Sequence, residues 1–171
     1  MNEEVRKLGP YGPVQVQNFL PHRYPFLFVD KILQVDVPYA DGKPQAVGVK
    51  IVGVKNATYN EPYFVGHFPG MPITPGVILI ETIAQISSFA LIPFMQVSED
   101  MKILGQFDLR LAGVENTRFR RPFLPGDTLT VKSEVIKQRG LLWWFKAIGE
   151  IEGNAAVECE FLAAITLGGK S

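Results

Sequence analysis

The chain has 171 residues, of which 47% are apolar and 20% charged, and its 17 basic residues balance 17 acidic ones. That length suits a single domain spanning residues 1–171 with a full core, and the apolar share excludes a disordered chain. The charge balance speaks against a nucleic-acid binder, and a lone cysteine, Cys159, excludes an internal disulfide and a cysteine-based zinc site.

The segment from Met1 to Lys7 is charged and has no apolar run, so no secretory signal is expected and the cytoplasm is the default compartment. Phe26 to Val37 and Ala46 to Val54 are rich in Val, Ile and Phe and read as strands. Between them, Asp36 to Pro44 is polar and carries Pro38, Gly42 and Pro44, which predicts an exposed loop. Pro75 to about Ile92 predicts a helix, with Thr74 as N-cap, Pro75 at the first helical position and Pro93 as the stop. Apolar residues surround almost all of it, so it belongs in the middle of the core. It falls short of the about 20 apolar residues that a membrane span needs, and Glu81, Gln85, Ser87 and Ser88 interrupt it.

Glu81, Gln85 and Ser88 follow one another at i, i+4 and i+7, one helical face. A polar row on a buried helix lines a cavity or forms an internal hydrogen-bond network. Beyond Val114 the period becomes two: Trp143, Phe145, Ala147, Gly149 and Ile151 share one face, and Val157, Cys159, Phe161, Ala163 and Ile165 another. Pro125-Gly126 suits a type II turn, Gly140 marks a break, and Gly153-Asn154 signals a two-residue hairpin. Together these predict an α+β fold in which an antiparallel sheet wraps one long central helix.

The chemistry concentrates in Gly66-His67-Phe68-Pro69-Gly70 and Pro75-Gly76-Val77-Ile78-Leu79-Ile80-Glu81. Glu81 is the only charged residue between Phe68 and Val97. Burial without a cationic partner raises a carboxyl pKa and makes a general acid. His67, in a loop stiffened by prolines and opened by glycines, is the matching base. Gly76 lies in the first turn of the helix, where backbone N–H groups lack internal partners and the helix dipole adds positive charge. A base, an acid and an oxyanion donor suit proton abstraction beside a carbonyl with loss or addition of water. There is no Gly-x-Ser-x-Gly elbow, no phosphate-binding glycine loop and no His-Glu-x-x-His, and two histidines are few for a metal centre.

Leu20-Pro21-His22-Arg23-Tyr24-Pro25-Phe26, the two fragments above with Ala84-Gln85, and Arg118-Phe119-Arg120-Arg121-Pro122 with Pro125-Gly126-Asp127 resemble the three signatures of FabZ-type 3-hydroxyacyl-[acyl-carrier-protein] dehydratases. The resemblance runs from about Asn18 to Ala164. The sister FabA type carries Asp at the position of Glu81 and Cys at that of Gly66, and fits less well. The resemblance implies a hot-dog fold, paired into homodimers and often into hexamers as trimers of dimers. It implies loss of water from a (3R)-hydroxyacyl thioester on acyl carrier protein, giving the trans-2-enoyl thioester in fatty acid biosynthesis. His67 would remove the C2 proton, Glu81 would protonate the departing hydroxyl, and the Gly76 N–H would polarise the carbonyl. The two catalytic side chains would come from different subunits, and no metal or organic cofactor would be used.

Gln85 and Phe68 join Gly76 as candidate substrate contacts. An acidic carrier protein would meet basic residues, for which Arg118, Arg120, Arg121 and Lys132 are the candidates. Arg118 and Arg120 should point outward and Phe119 inward. His22 and Arg23 read as structural. Two alternatives stay open: a hot-dog acyl thioesterase, and an acyl-binding subunit without turnover.

Overall fold

The computed structural model describes residues 3–167. In chain order it forms β1 (Glu3–Leu8), α1 (Pro13–Phe19), β2 (Lys31–Ala40), β3 (Lys43–Pro44) and β4 (Lys50–Asn56). A short 3-10 turn (Pro62–Val65) follows, then α2 (Gly76–Ser87) and a second 3-10 stretch (Ser88–Phe94). β5 (Phe107–Phe119), β6 (Thr128–Arg139), β7 (Leu142–Ile151) and β8 (Asn154–Leu167) complete it. The eight strands form one sheet in the order β1-β2-β4-β6-β7-β8-β5, with β3 paired to β2 outside that path. Every pairing is antiparallel. The sheet wraps α2, as the sequence predicts.

Period-two patterning explains the wrap. Trp143, Phe145, Ala147 and Ile151 of β7, and Val157, Cys159, Phe161, Ala163 and Ile165 of β8, are buried. Ile83, Ile86 and Phe89 answer from the helix. The Val, Ile and Phe side chains among them each contribute about 1.5–3 kcal/mol on leaving water. Gly53 lets helix and sheet approach closely, since a Cβ there would lie 2.8 Å from Ile86 Cγ2, and Gly149 makes room within the sheet for Val157 of β8, whose Cγ1 would lie 2.7 Å from an added Cβ. Gly76–Phe94 is long and apolar enough to cross a membrane by composition, yet 67% of its apolar window is buried inside the protein, as for a core helix. Trp143 packs edge-on to Phe94 in that core, whereas Trp144, next along β7, lies on the outer face beneath the Lys137 ammonium.

Five expectations need correction. The helix begins at Gly76, with Pro75 rather than Thr74 as its cap, and Pro75 offers no side-chain bond. It turns from α to 3-10 at Ser88 instead of running evenly to Ile92. Ser87 Oγ donates to the Ile83 carbonyl and Ser88 Oγ to the Gln85 carbonyl, and Pro93 has no N–H to continue an α-helical ladder. Asp36 to Pro44 is not a loop but a β-hairpin, turned at Asp41-Gly42 with φ of 50° and 74°. Pro38 is tolerated there because β4 pairs with β2 only as far as Asp36. The β7–β8 turn is Glu152-Gly153, both at positive φ, and Asn154 already pairs with Ile151. The strand expected from Phe26 starts only at Lys31, since Phe26 and Phe28 give their backbone groups to a side chain of α2.

Candidate active site

The polar row on α2 lines a cavity and also forms a network. Glu81, Gln85 and Ser88 line a cavity of about 260 Å³ together with Leu20, His22 and the β5 residues Phe107, Leu109 and Leu111. Gln85, only 2% exposed, is the hub. Its Oε1 accepts from Phe28 N at 3.0 Å, and its Nε2 donates to Phe26 O at 2.8 Å and to Glu81 Oε1 at 2.9 Å. Both amide donors are thus spent inside the chain. Gln85 is therefore a strut for Glu81 and for the segment after α1, and has no hydrogen left to donate to a substrate.

Glu81 has a partner that the sequence does not announce. His22 Nε2 lies 3.3 Å from Glu81 Oε1. The His22 hydrogen bond holds the Glu81 carboxyl below the usual carboxylate range; burial pushes it the other way, and the Gln85 amide adds to the lowering. The expectation of a raised pKa is thereby corrected: the carboxyl is half-buried but not alone, and donors to the ionised form outweigh desolvation. Oε1 takes both donors, and Oε2 accepts no hydrogen bond among the described residues.

His67 is fixed by its own loop. Its backbone N–H donates to Tyr63 O and its carbonyl accepts from Ile73 N, each at 3.0 Å. Its Nδ1 lies 2.7 Å from Ile73 O. A carbonyl only accepts, so Nδ1 carries the hydrogen and Nε2 keeps its lone pair, the form of a general base. Phe68 stacks on the imidazole at 4.0 Å and so orients it. Lys55, buried on β4, pins the loop from below through an ion pair with Glu61.

The Gly76 N–H finds no acceptor among the described residues, as a first-turn donor should. Phe119 lies over it: a Cβ at Gly76 would sit 2.7 Å from the ring. Phe119 does point toward the helix but stays 52% exposed, because β5 is the outermost strand. Of the candidate cations, Arg120 pairs with Glu158 at 2.6 Å, Lys132 with Glu150 at 2.7 Å, and Arg121 donates to Ile151 O at 3.3 Å. Arg118 and Lys132 line an outer groove of about 750 Å³ that also holds Asp36, Glu134, Glu158 and Glu160, so its charge is mixed rather than basic.

Within one chain His67 and Glu81 are not partners. Glu81 bonds His22 and Gln85, His67 bonds Ile73, and the cavity beside Glu81 does not include His67.

Residues 20–160 match the family described as a FabA-like domain. Over 150 residues the chain is 41% identical to the 3-hydroxyacyl-[acyl-carrier-protein] dehydratase FabZ of Desulforamulus reducens, covering 88% of this chain and 94% of that one. It is 38% identical over 155 residues to the FabZ of Caldicellulosiruptor saccharolyticus, covering 91% and 99%. Among solved structures, the dehydratase heterocomplex ApeI:P of Xenorhabdus doucetiae aligns with a TM-score of 0.64 at 17% identity, over 88% of this chain and 90% of that one. A hot-dog-like protein of Thermanaerovibrio acidaminovorans aligns at 0.54 and 15% identity, over 71% and 83%. With the wrapped helix, these likenesses give a hot-dog fold, and the chain belongs to the FabA-like family, among its FabZ-type 3-hydroxyacyl-[acyl-carrier-protein] dehydratases.

Proposed function

We propose that the chain dehydrates (3R)-hydroxyacyl thioesters of acyl carrier protein to trans-2-enoyl thioesters in fatty acid biosynthesis, at a site completed by a second copy of itself. The observation that carries this reading is the orientation of His67, held through Nδ1 so that Nε2 is left as a base. His67 Nε2 takes the C2 proton, and the Gly76 N–H receives the negative charge that builds on the thioester oxygen. Glu81 delivers a proton to the 3-hydroxyl, which leaves as water; the proton on His67 then returns to Glu81. Glu81 must enter the cycle protonated. An acyl chain that fills the cavity excludes water, and burial is the influence that already opposes ionisation there.

The second copy is argued from β5. Among the described residues this 13-residue strand ends the sheet with one side unpaired. Leu111, Val114 and Phe119 on it are exposed, as is Val77, next to Gly76 at the helix start. Phe107, Leu109 and Leu111 of the same strand line the Glu81 cavity. A partner pairing along β5 would therefore lie beside Glu81, where its own His67 could reach. Dimers of this kind associate further into hexamers, and the enzyme works in the cytoplasm. Arg120 and Arg121 directly follow Phe119, whose ring lies on Gly76, which supports them as the landing of an acidic carrier; Arg118 and Lys132, in the mixed-charge groove, have less support.

One observation favours a second reading: an ionised Glu81 could orient water for thioester hydrolysis. The two readings part in one assay, in which a 3-hydroxyacyl thioester gives enoyl absorbance for dehydration or free thiol for hydrolysis. His67→Ala and Glu81→Gln should each lower enoyl formation about 10²–10⁴-fold with the fold intact. Thiol release without enoyl would establish the hydrolase, and a fully active His67→Ala enzyme would remove the assigned base.

A further inference from the structure

The reaction assigns nothing to His22, yet His22 is the side chain that most strongly conditions Glu81. Its ring is about as buried as the carboxylate it faces, with 30% and 27% of the side chains exposed. Its backbone is clamped: Arg23 Nη1 donates to Leu20 O at 2.8 Å and to His22 O at 2.6 Å. The other ring nitrogen, Nδ1, is buried and has no partner among the described residues. A protonated ring would strand a buried N–H there, so the fitting form is the neutral Nε2–H tautomer, donating to Glu81. Gln85 Nε2 donates to the same oxygen. An oxygen that accepts two N–H groups is a poor place for a proton, so a protonated carboxyl carries its hydrogen on Oε2.

We propose that His22 is a positioning residue for the dehydration, which with Gln85 holds Glu81 by Oε1 alone and so aims the acidic hydrogen on Oε2 at the departing hydroxyl. The inference rests on Glu81 being the acid of the proposed reaction. Few other groups compete for the carboxyl. Of the residues lining its cavity, His22, Glu81 and Asp108 are titratable, and Asp108 on β5 is paired with Arg110 at 2.9 Å. Ser88, on the same helix, spends its hydroxyl on the Gln85 carbonyl.

The test compares wild type with His22→Leu, which removes the donor, and His22→Gln, which returns an N–H at similar reach. The Glu81 carboxyl is titrated by carbon-13 NMR in glutamate-labelled protein, with Glu81→Gln to assign the signal, and kcat and KM are measured against pH with a 3-hydroxyacyl thioester. In His22→Leu the carboxyl should titrate at higher pH, since a donor to its ionised form is gone. The kcat should fall about tenfold to a hundredfold, the worth of one hydrogen bond to a charged group, with KM little changed. The alkaline limb of kcat should move up in pH, and His22→Gln should recover most of both changes. A Glu81 titration that is the same in His22→Leu as in wild type overturns the proposal, and so does an unchanged kcat or a folded Gln variant no better than Leu. If wild type makes no enoyl product while the carboxyl titration still responds to His22, the reaction reading fails and the hold of His22 on Glu81 stands.

Discussion

Tyr63 shows how a residue outside the chemistry can report on the loop that carries it. Its carbonyl anchors the His67 N–H, and its ring meets Phe64 edge-on at 4.7 Å. Its hydroxyl and that of Thr74 are buried near one another, and neither reaches hydrogen-bonding geometry. Burial, with the charges of Glu61 and Asp30 adding to it, pushes the Tyr63 phenol up to about 12. An unfolded tyrosine releases its proton near 10 and the folded one holds it to about 12. Between those values the unfolded chain binds fewer protons, so this part of the stability is intact below pH 10 and is lost as pH rises through the window. Urea unfolding from pH 9 to pH 12 should show a fall that Tyr63→Phe reduces; identical slopes in the two proteins would mean that the phenol is not buried. At this scale the sequence made Glu81 and His67 visible, because a lone acid in apolar surroundings and a proline-braced imidazole are local signals. His22 was not visible. It lies far from Glu81 along the chain, and only packing of the segment after α1 against α2 brings the two together.

Among the elements, the contact of α2 with β4 has the least slack. Gly53 faces Ile86 and Ile32 at distances that a real Cβ would violate, and all three lie in the core. Gly53→Ala should cost about 1–3 kcal/mol, the usual cost of overpacking, measured as a drop in the denaturation midpoint with the slope unchanged. A neutral result would mean that the helix can lift from the sheet. Element identity was largely legible where periodicity was long, as in α2 and the strands from β6 onward. It failed where local composition and pairing disagreed. The polar residues from Asp36 to Pro44 look like a loop, yet β1 covers them by pairing Glu4 with Tyr39 and Lys7 with Asp36. A charged N-terminal segment gives no hint of that strand, since an outermost strand needs only one apolar face.

At the scale of the molecule, the open side of β5 and the separation of His67 from Glu81 are two aspects of one question. If the site is shared between copies, activity and association must fail together. Val114→Asp puts a charge on the exposed stretch of β5 away from the Glu81 cavity. It should shift sedimentation toward monomer and lower turnover more at low protein concentration than at high. A monomer with full turnover would show that one chain suffices. The tryptophan pair gives a means of following such changes without labels. Adjacent indoles on opposite sides of β7 sense different surroundings, one against the end of the long helix and the other under an ammonium group at the surface. A soluble quencher should therefore dim Trp144 first, and the protected part of the emission tracks how firmly Phe94 stays docked.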